Sequence, residues 1–284
     1  MNIAKRKTDL KFGDGPNNLT HGFVPTMGAL HDGHKELIRT ARADCEFLTV
    51  SIFVNPTQFA PGGDFLEYPR TIEQDITVLR ELKVDQIYIP ATDEIYPQGT
   101  MVNITLEPLE HLLEGAQRPG HFSGVANVVL RLFNIVRPTR AYFGDKDAQQ
   151  LIVIRKLVTD LHLPVEIINC PTVRDTDGMA LSSRNIFLDP RERVQAKSIS
   201  RGLFAAQDAF STGELSSHAL RNIVRKELEP NNLLFTEYVS LCRPESMDEV
   251  LGECEAGDIL SVAVRLDSTR LIDNIRLRNR PESN

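Results

Sequence analysis

Phe23-Val-Pro-Thr-Met-Gly-Ala-Leu-His-Asp-Gly-His-Lys-Glu-Leu-Ile38 is the stretch from which the rest of this chain is read. An apolar run stops at Pro25 and Met27-Gly28 turns the backbone. Leu37, Ile38 and Ala41 then follow at helical spacing, so a helix starts near Asp32. The order is strand, turn, helix. His34 precedes Leu37 and Ile38 by three and four residues and shares their inward face, while His31 lies just ahead of the helix start. Two imidazoles thus meet at a helix N-terminus, where free N–H groups and the positive end of the macrodipole favour an anion. Gly28 and Gly33 remove side chains that would hold a ligand off the backbone. The natural ligand is a phosphate chain. Two plainer readings stand beside it, loop and cap histidines or zinc ligands. The zinc reading lacks a third ligand at metal spacing, since His21 and Cys45 fit no such pattern.

Upstream, residues 1 to 21 are polar and broken by Gly13, Gly15 and Pro16, which predicts a loose lead-in rather than a core element. Downstream, the helix ends near Ala43. Phe47-Leu-Thr-Val-Ser-Ile-Phe-Val54 is a continuous apolar, β-branched run that predicts a central parallel strand covered on both faces. Helices over 71–82, 125–136 and 147–161 alternate with strands over 85–89, 140–143 and 165–169. Such alternation predicts a Rossmann-like α/β domain on a parallel sheet, with ligands at the C-terminal strand ends. From Thr172 the pattern changes to a polar loop, helices over 190–210 and 216–229, and strands over 236–241 and 259–266. The expected domains are therefore 1–173, binding nucleotide and substrate, and 174–284, a smaller C-terminal α+β lid.

Composition narrows the partners. Of 284 residues, 41% are hydrophobic and 25% charged, as in an ordinary globular protein. A net charge of −7 argues against a nucleic-acid backbone as the main partner but leaves room for a local pocket for a small anion. Cys45, Cys170, Cys242 and Cys254 form no C-x-x-C pattern, which predicts buried thiols in a reducing compartment. Lys5-Arg-Lys7 is followed by no apolar run, and no stretch reaches membrane-spanning length, so the expected location is cytoplasmic.

Further motifs sit at strand ends. Asn55 and Gln58 place two amides on the loop after the central run, and Gln150 adds a third from another strand-end helix. Amides recognise hydroxyls or carboxylates without adding charge, and converging glutamines suit a polyol-like ligand. They could equally serve loop backbone. Phe143-Gly-Asp-Lys-Asp147 ends a strand and opens a helix. Gly144 allows close backbone approach, Lys146 offers an ammonium to phosphate, and Asp147 is placed either for ribose hydroxyls or simply as a helix cap. Leu181-Ser-Ser-Arg184 reads as a clamp for triphosphate oxygens or as an ordinary Ser-rich loop. Arg118-Pro-Gly-His-Phe-Ser-Gly124 offers Arg118 and His121 to a carboxylate, or a plain turn with Ser123 as helix cap. Tyr68-Pro-Arg-Thr71 reads as structural, and Asp273-Asn274 has no physical account at this level.

The histidine turn resembles that of the HIGH-type nucleotidyl-transferase superfamily. Pro25-Thr-Met-Gly-Ala-Leu-His-Asp-Gly-His34 resembles more narrowly the pantothenate synthetase (pantoate–β-alanine ligase) family, with matches in order from Phe23 to about Asn185 and weaker similarity to Asn274. The resemblance implies that pantoate and ATP form a pantoyl adenylate and pyrophosphate, after which β-alanine displaces AMP. It implies His31, His34, Lys146 and Arg184 as catalytic. For ATP it implies Met27, Gly28, Ala29, Leu30, His31, Asp32, Gly33, His34, Gly144, Asp145, Lys146, Asp147, Val173, Leu181, Ser182, Ser183 and Arg184. For pantoate it implies Gln58, Gln150, Met27 and Arg118, and for β-alanine Gln58, Asn55 and His121. The segment around Ser182 would be a mobile loop closing over pyrophosphate. Mg²⁺ bound mainly through phosphates is implied, with no dedicated protein metal site, and so is a homodimer. The chain departs from the family in having no helix before His21 and in carrying Asp145 where Glu is usual, which keeps the charge but shortens its reach. Another adenylyl- or cytidylyl-transferase of the superfamily, or a non-catalytic nucleotide sensor, would share the histidine turn.

Overall fold

The computed structural model describes residues 1–12, 19–59 and 65–279. The chain forms two compact units, Met1–Gly144 with Gln149–Pro171, and Asp145–Ala148 with Thr172–Asn284.

The first unit is built on six strands, β1 (Asn2–Ala4), β2 (His21–Thr26), β3 (Phe47–Ile52), β4 (Gln86–Tyr88), β5 (Arg140–Gly144) and β6 (Glu166–Cys170). They pair in parallel in the order β1-β4-β3-β2-β5-β6. The chain builds outward from β2 through β3 to β4, then returns to the other side of β2 for β5 and β6. The order therefore reverses at β2 and β5, and in parallel sheets such a reversal opens a crevice at the C-terminal strand ends. Helices connect the strands: α1 (Asp32–Asp44), α2 (Ile72–Glu81), the short α3 (Thr92–Ile95) and α4 (Leu113–Gln117), α5 (His121–Val136) and α6 (Ala148–Asp160). Alternate residues of β2 face opposite layers, as a strand's period of two requires. Val24 packs with Ile38 and Ala41 of α1, whereas Phe23 meets the Phe133 ring of α5 edge-on at 6.3 Å.

The lead-in departs from the sequence expectation. Asn2–Ala4 is an edge strand on β4 with Ala4 fully buried, not a loose arm. Three residues are too few for an apolar periodicity to be visible. What holds the segment is polar: the buried Gln86 accepts from Asn2 Nδ2 at 2.9 Å and from the Lys11 N–H at 2.8 Å. Residues 13–18 of that stretch lie outside the described residues. Helix α5 begins at His121, and Ser123 is not its cap. Gly120 caps it in the left-handed region, and both the N–H and the hydroxyl of Ser123 donate to the buried Glu110 carboxylate, at 2.7 and 2.6 Å.

The second unit pairs β7 (Leu234–Cys242), β8 (Ile259–Leu266) and β9 (Thr269–Arg276) in an antiparallel sheet. The helices α7 (Pro190–Ser211) and α8 (Ser217–Leu228) share one apolar core with it, including Leu203, Leu220, Val224, Leu241 and Leu260. Strand β9 is absent from the sequence reading because Asp273-Asn274 interrupts its apolar pattern. Both residues are nevertheless buried. All four cysteines are buried thiols outside any disulfide. Among the described residues no helix is long and apolar enough to cross a membrane.

His21, at the start of the central strand, is buried against Phe47 and sits 2.8 Å from the Thr49 hydroxyl. Burial pushes its imidazole down from the ordinary 6.5 to about 4, against weaker upward pulls from the Arg137 backbone and the Asp85 charge. A depressed folded-state value means that the unfolded chain binds the extra proton first. Stability is therefore complete above about pH 6.5 and declines as pH falls toward 4, by at most about 3 kcal/mol for a shift of this size. Urea unfolding of the native chain and of His21→Asn across this window checks it. The variant should lack this part of the acid-side loss, and identical pH dependence in both would contradict it.

Candidate active site

The turn after β2 is held by a carboxylate from the next crossover. Gly28 and Ala29 both adopt the left-handed region, at φ 81° and 52°, which aims successive backbone N–H groups to one side. Asp75 of α2, 2% exposed, receives them: Ala29 N–H at 3.0 Å, Leu30 N–H at 2.9 Å, and the Thr71 hydroxyl at 3.2 Å. A β-carbon on Gly28 would stand 3.0 Å from that carboxylate, so both the backbone conformation and the space favour glycine. Sequence reading missed Asp75. Its signal was a carboxylate on the apolar face of a helix, among Ile72, Ile76 and Leu79.

The helix N-terminus also differs from the expected ring of free N–H groups. The His31 N–H donates to His34 Nδ1 at 3.3 Å, and the Gly33 N–H donates to His31 Nδ1 at 3.2 Å. The two histidines form a reciprocal cap, with ring centroids 4.0 Å apart. The physical reason is proximity: an acceptor two or three residues from an orphan helix N–H takes it. A neutral imidazole that accepts at Nδ1 carries its proton on Nε2, so both rings are set as Nε2–H donors. Asp32 is exposed and pairs with Lys35 at 2.8 Å, which holds its carboxyl below the usual range.

The loop after β3 joins this turn through amides. Gln58 Nε2 lies 3.1 Å from the Met27 sulfur, and its Oε1 accepts from Asn55 Nδ2 at 3.1 Å. Asn55, expected to contact β-alanine, is hydrogen-bonded within the protein at both ends of its amide. It is 1% exposed; Nδ2 also donates to the Gly124 carbonyl, and Oδ1 accepts from the Thr57 N–H, the Thr57 hydroxyl and the Tyr96 hydroxyl. Its amide therefore also holds the Gln58 side chain. Gly124 lets the loop lie on α5: a β-carbon there would meet the Thr57 carbonyl and stand 2.8 Å from Gln58 Cα. His121, also buried, lies with Nδ1 2.9 Å from the Gln58 carbonyl and Nε2 3.2 Å from Arg118. Met27, Gln58, Asn55, His121 and Arg118 therefore form one connected network. Gln150 is half-buried in the first turn of α6, beyond the end of β5, which Gly144 closes. Its neighbour Gln149 is structural, bonding the Leu109 and Leu112 carbonyls and the Glu114 N–H. Arg70 is structural too, donating to the carbonyls of Phe65, Leu66 and Tyr68.

In the second unit, Asp145–Asp147 is a single 3₁₀ turn in which Lys146 Nζ bonds Asp147 at 3.3 Å. Val173 and Leu181 face each other at the base of a hairpin, the Leu181 N–H donating to the Val173 carbonyl at 3.0 Å. Ser182 caps the next 3₁₀ turn, Ser183–Phe187, by accepting the Arg184 N–H. The hairpin tip is tied down, Arg193 bridging Asp175 and Asp177.

A parallel sheet that reverses its order at β2 and β5, with a histidine-bearing turn at the end of β2, defines a Rossmann-like α/β protein of the kind that binds ligands at the strand ends. Comparison narrows the class. The pantoate–β-alanine ligase family model matches residues 4–276. A pantothenate synthetase of Chloroflexus aggregans is 49% identical over 253 residues, 89% of this chain and 91% of that one. The crystal structure of pantothenate synthetase from Thermus thermophilus superposes with a TM-score of 0.92 at 42% identity, covering 98% of this chain and 99% of that one. That of the Francisella tularensis pantoate–β-alanine ligase, complexed with β,γ-ATP and β-alanine, gives 0.78 at 35% identity, covering 97% of each. The chain belongs to the pantoate–β-alanine ligase family.

Asp75→Asn keeps the size of the side chain but turns an amide N–H toward N–H donors. It should lower unfolding stability by about 1–3 kcal/mol, the usual loss when buried partners are stranded. Equilibrium urea unfolding measures this. Unchanged stability would mean that Asp75 does not hold the turn.

Proposed function

We propose that this chain joins pantoate to β-alanine at the expense of ATP, by way of a pantoyl adenylate. The observation that carries the reading is the paired imidazoles at the end of β2, each accepting a backbone N–H at Nδ1 and so set as an Nε2–H donor. Family membership supplies the substrates, and the β,γ-ATP and β-alanine bound in the Francisella relative support them. In the first half-reaction a pantoate carboxylate oxygen forms a bond to the α-phosphorus while the bond to pyrophosphate breaks. Two anions must be brought together, so alignment and donation to phosphate oxygens are what the protein contributes. His31 and His34 donate from Nε2, and Lys146, Ser182, Ser183 and Arg184 supply further donors. Met27 to Gly33 and Gly144, with Asp145, Asp147, Val173 and Leu181, are the proposed nucleotide contacts.

Gln58 and Gln150 are proposed to hold pantoate, with Met27 and Arg118 beside it. Gln58, Asn55 and His121 are proposed to contact β-alanine, with Arg118 and His121 suited to its carboxylate. In the second half-reaction the free amine attacks the acyl carbon and AMP leaves. Mg²⁺ fits as a companion of the phosphates, because it needs only one or two carboxylates and keeps most of its shell as water and phosphate oxygen. Among the described residues no three His, Cys, Asp or Glu side chains gather to cage it. A cytoplasmic homodimer completes the proposal.

Exchange of labelled pyrophosphate into ATP tests the reading. It should require pantoate and not β-alanine; exchange without pantoate, or with β-alanine alone, would overturn the adenylate. His34→Ala should slow adenylate formation by roughly 10²- to 10³-fold, as for loss of one preorganised donor. Attack of β-alanine on supplied pantoyl adenylate should fall far less, since pyrophosphate has already left. Equal losses in single-turnover measurements of both steps would remove the phosphate role of His34.

A further inference from the structure

Asp273-Asn274, unexplained in the sequence, lies in the middle of β9, with side chains 4% and 7% exposed. Asn274 Nδ2 donates to two successive carbonyls, that of Asp145 at 3.0 Å and that of Lys146 at 2.8 Å. Those carbonyls belong to the peptide groups on either side of the Lys146 Cα. Pinning both peptide planes fixes the Cα–Cβ direction, and hence where the Lys146 ammonium can reach. A 3₁₀ turn of three residues is a short element whose hydrogen-bond geometry is poorer than an α-helix's.

The amide is itself held by an ion pair on a buried carboxylate. The Asn274 N–H donates to Asp273 Oδ1 at 2.8 Å. Arg174 grips the Asp273 carboxylate with both terminal nitrogens, at 2.6 and 3.0 Å, and stacks on the Phe204 ring at 4.9 Å. The same guanidinium donates to the Asn274 carbonyl at 3.3 Å and to the Gly178 carbonyl at 3.1 Å, inside the hairpin that leads to Ser182 and Arg184. One relay thus ties the Lys146 turn, and the hairpin that precedes Ser182, to a single strand.

We propose that Asn274 is a positioning residue for the adenylation step, acting by fixing the backbone on both sides of Lys146, with Arg174 and Asp273 holding Asn274 in place. The inference rests on the role proposed for Lys146, and the test separates the two. Pantoate-dependent pyrophosphate exchange is measured for the native chain, Lys146→Ala, Asn274→Asp, Asn274→Ala and the Lys146→Ala/Asn274→Ala double variant, with thermal unfolding of each. Asn274→Asp matches the amide in size but cannot donate to carbonyls, and Asn274→Ala keeps the question answerable if the extra charge unfolds the chain. Each Asn274 variant should lower kcat for exchange about 10- to 100-fold, leave the KM for pantoate within about twofold, and cost little further in the Lys146→Ala background. Full activity of Lys146→Ala would overturn the Lys146 reading and this inference with it. Loss in Lys146→Ala with none in the Asn274 variants would overturn the inference alone. Additive losses, or an equal rise in KM for pantoate, would also overturn it, because a merely structural residue behaves that way.

Discussion

The geometry of the first unit depends on one carboxylate. Asp75 takes the N–H groups of Ala29 and Leu30 while Gly28 and Ala29 sit in the left-handed region. A left-handed alanine costs about 1–2 kcal/mol on its own, so the turn persists because two charge-assisted hydrogen bonds outweigh that cost. The turn decides where His31 and His34 enter α1 and that each can reach the other's neighbourhood. Through Met27 it also meets Gln58, and from Gln58 the contacts run to Asn55, His121 and Arg118. A helix N-terminus is often described as an anion site by virtue of its free N–H groups. Here two of those groups are committed to imidazoles.

The second unit solves a related problem by other means. Lys146 and the Ser182–Arg184 segment lie on short 3₁₀ turns. Such turns are short, and the backbone on both sides of Lys146 is held to β9 through the Arg174, Asp273 and Asn274 relay. Placing a buried carboxylate mid-strand carries a desolvation cost, which the Arg174 guanidinium offsets. A positional role explains why polar residues occupy a strand interior that apolar ones would fill more cheaply.

The periodic part of the fold was readable in the sequence. Apolar runs and helical spacing placed β2 to β6, α1, α2 and α5 to α8 to within a few residues, because each buries a face large enough to impose a period. The elements that escaped are too short to show a period, as β1, α3 and α4 are, or have that period interrupted, as β9 does. Strand β1 is three residues held partly by Gln86, and β9 has a buried Asp-Asn where the pattern asks for apolar residues. The site divides in the same way. The histidine turn and the strand-end amides were visible as motifs. The support of Asp75 and Glu110, and the inward commitment of Asn55, were not, since each is a contact between segments distant in sequence. Asp75 came nearest to being legible, as a carboxylate on an apolar helix face.

The central claim is that His31 and His34 accept backbone N–H groups at Nδ1 and so stand as Nε2–H donors. Long-range ¹H–¹⁵N correlation spectra of histidine-labelled protein, assigned with His31→Gln and His34→Gln, read the protonation of each ring nitrogen directly. Near neutral pH the account predicts an unprotonated Nδ1 and a protonated Nε2 on both rings. Protons on Nδ1, in either residue, would mean that the backbone N–H groups are not held by the imidazoles and would contradict it.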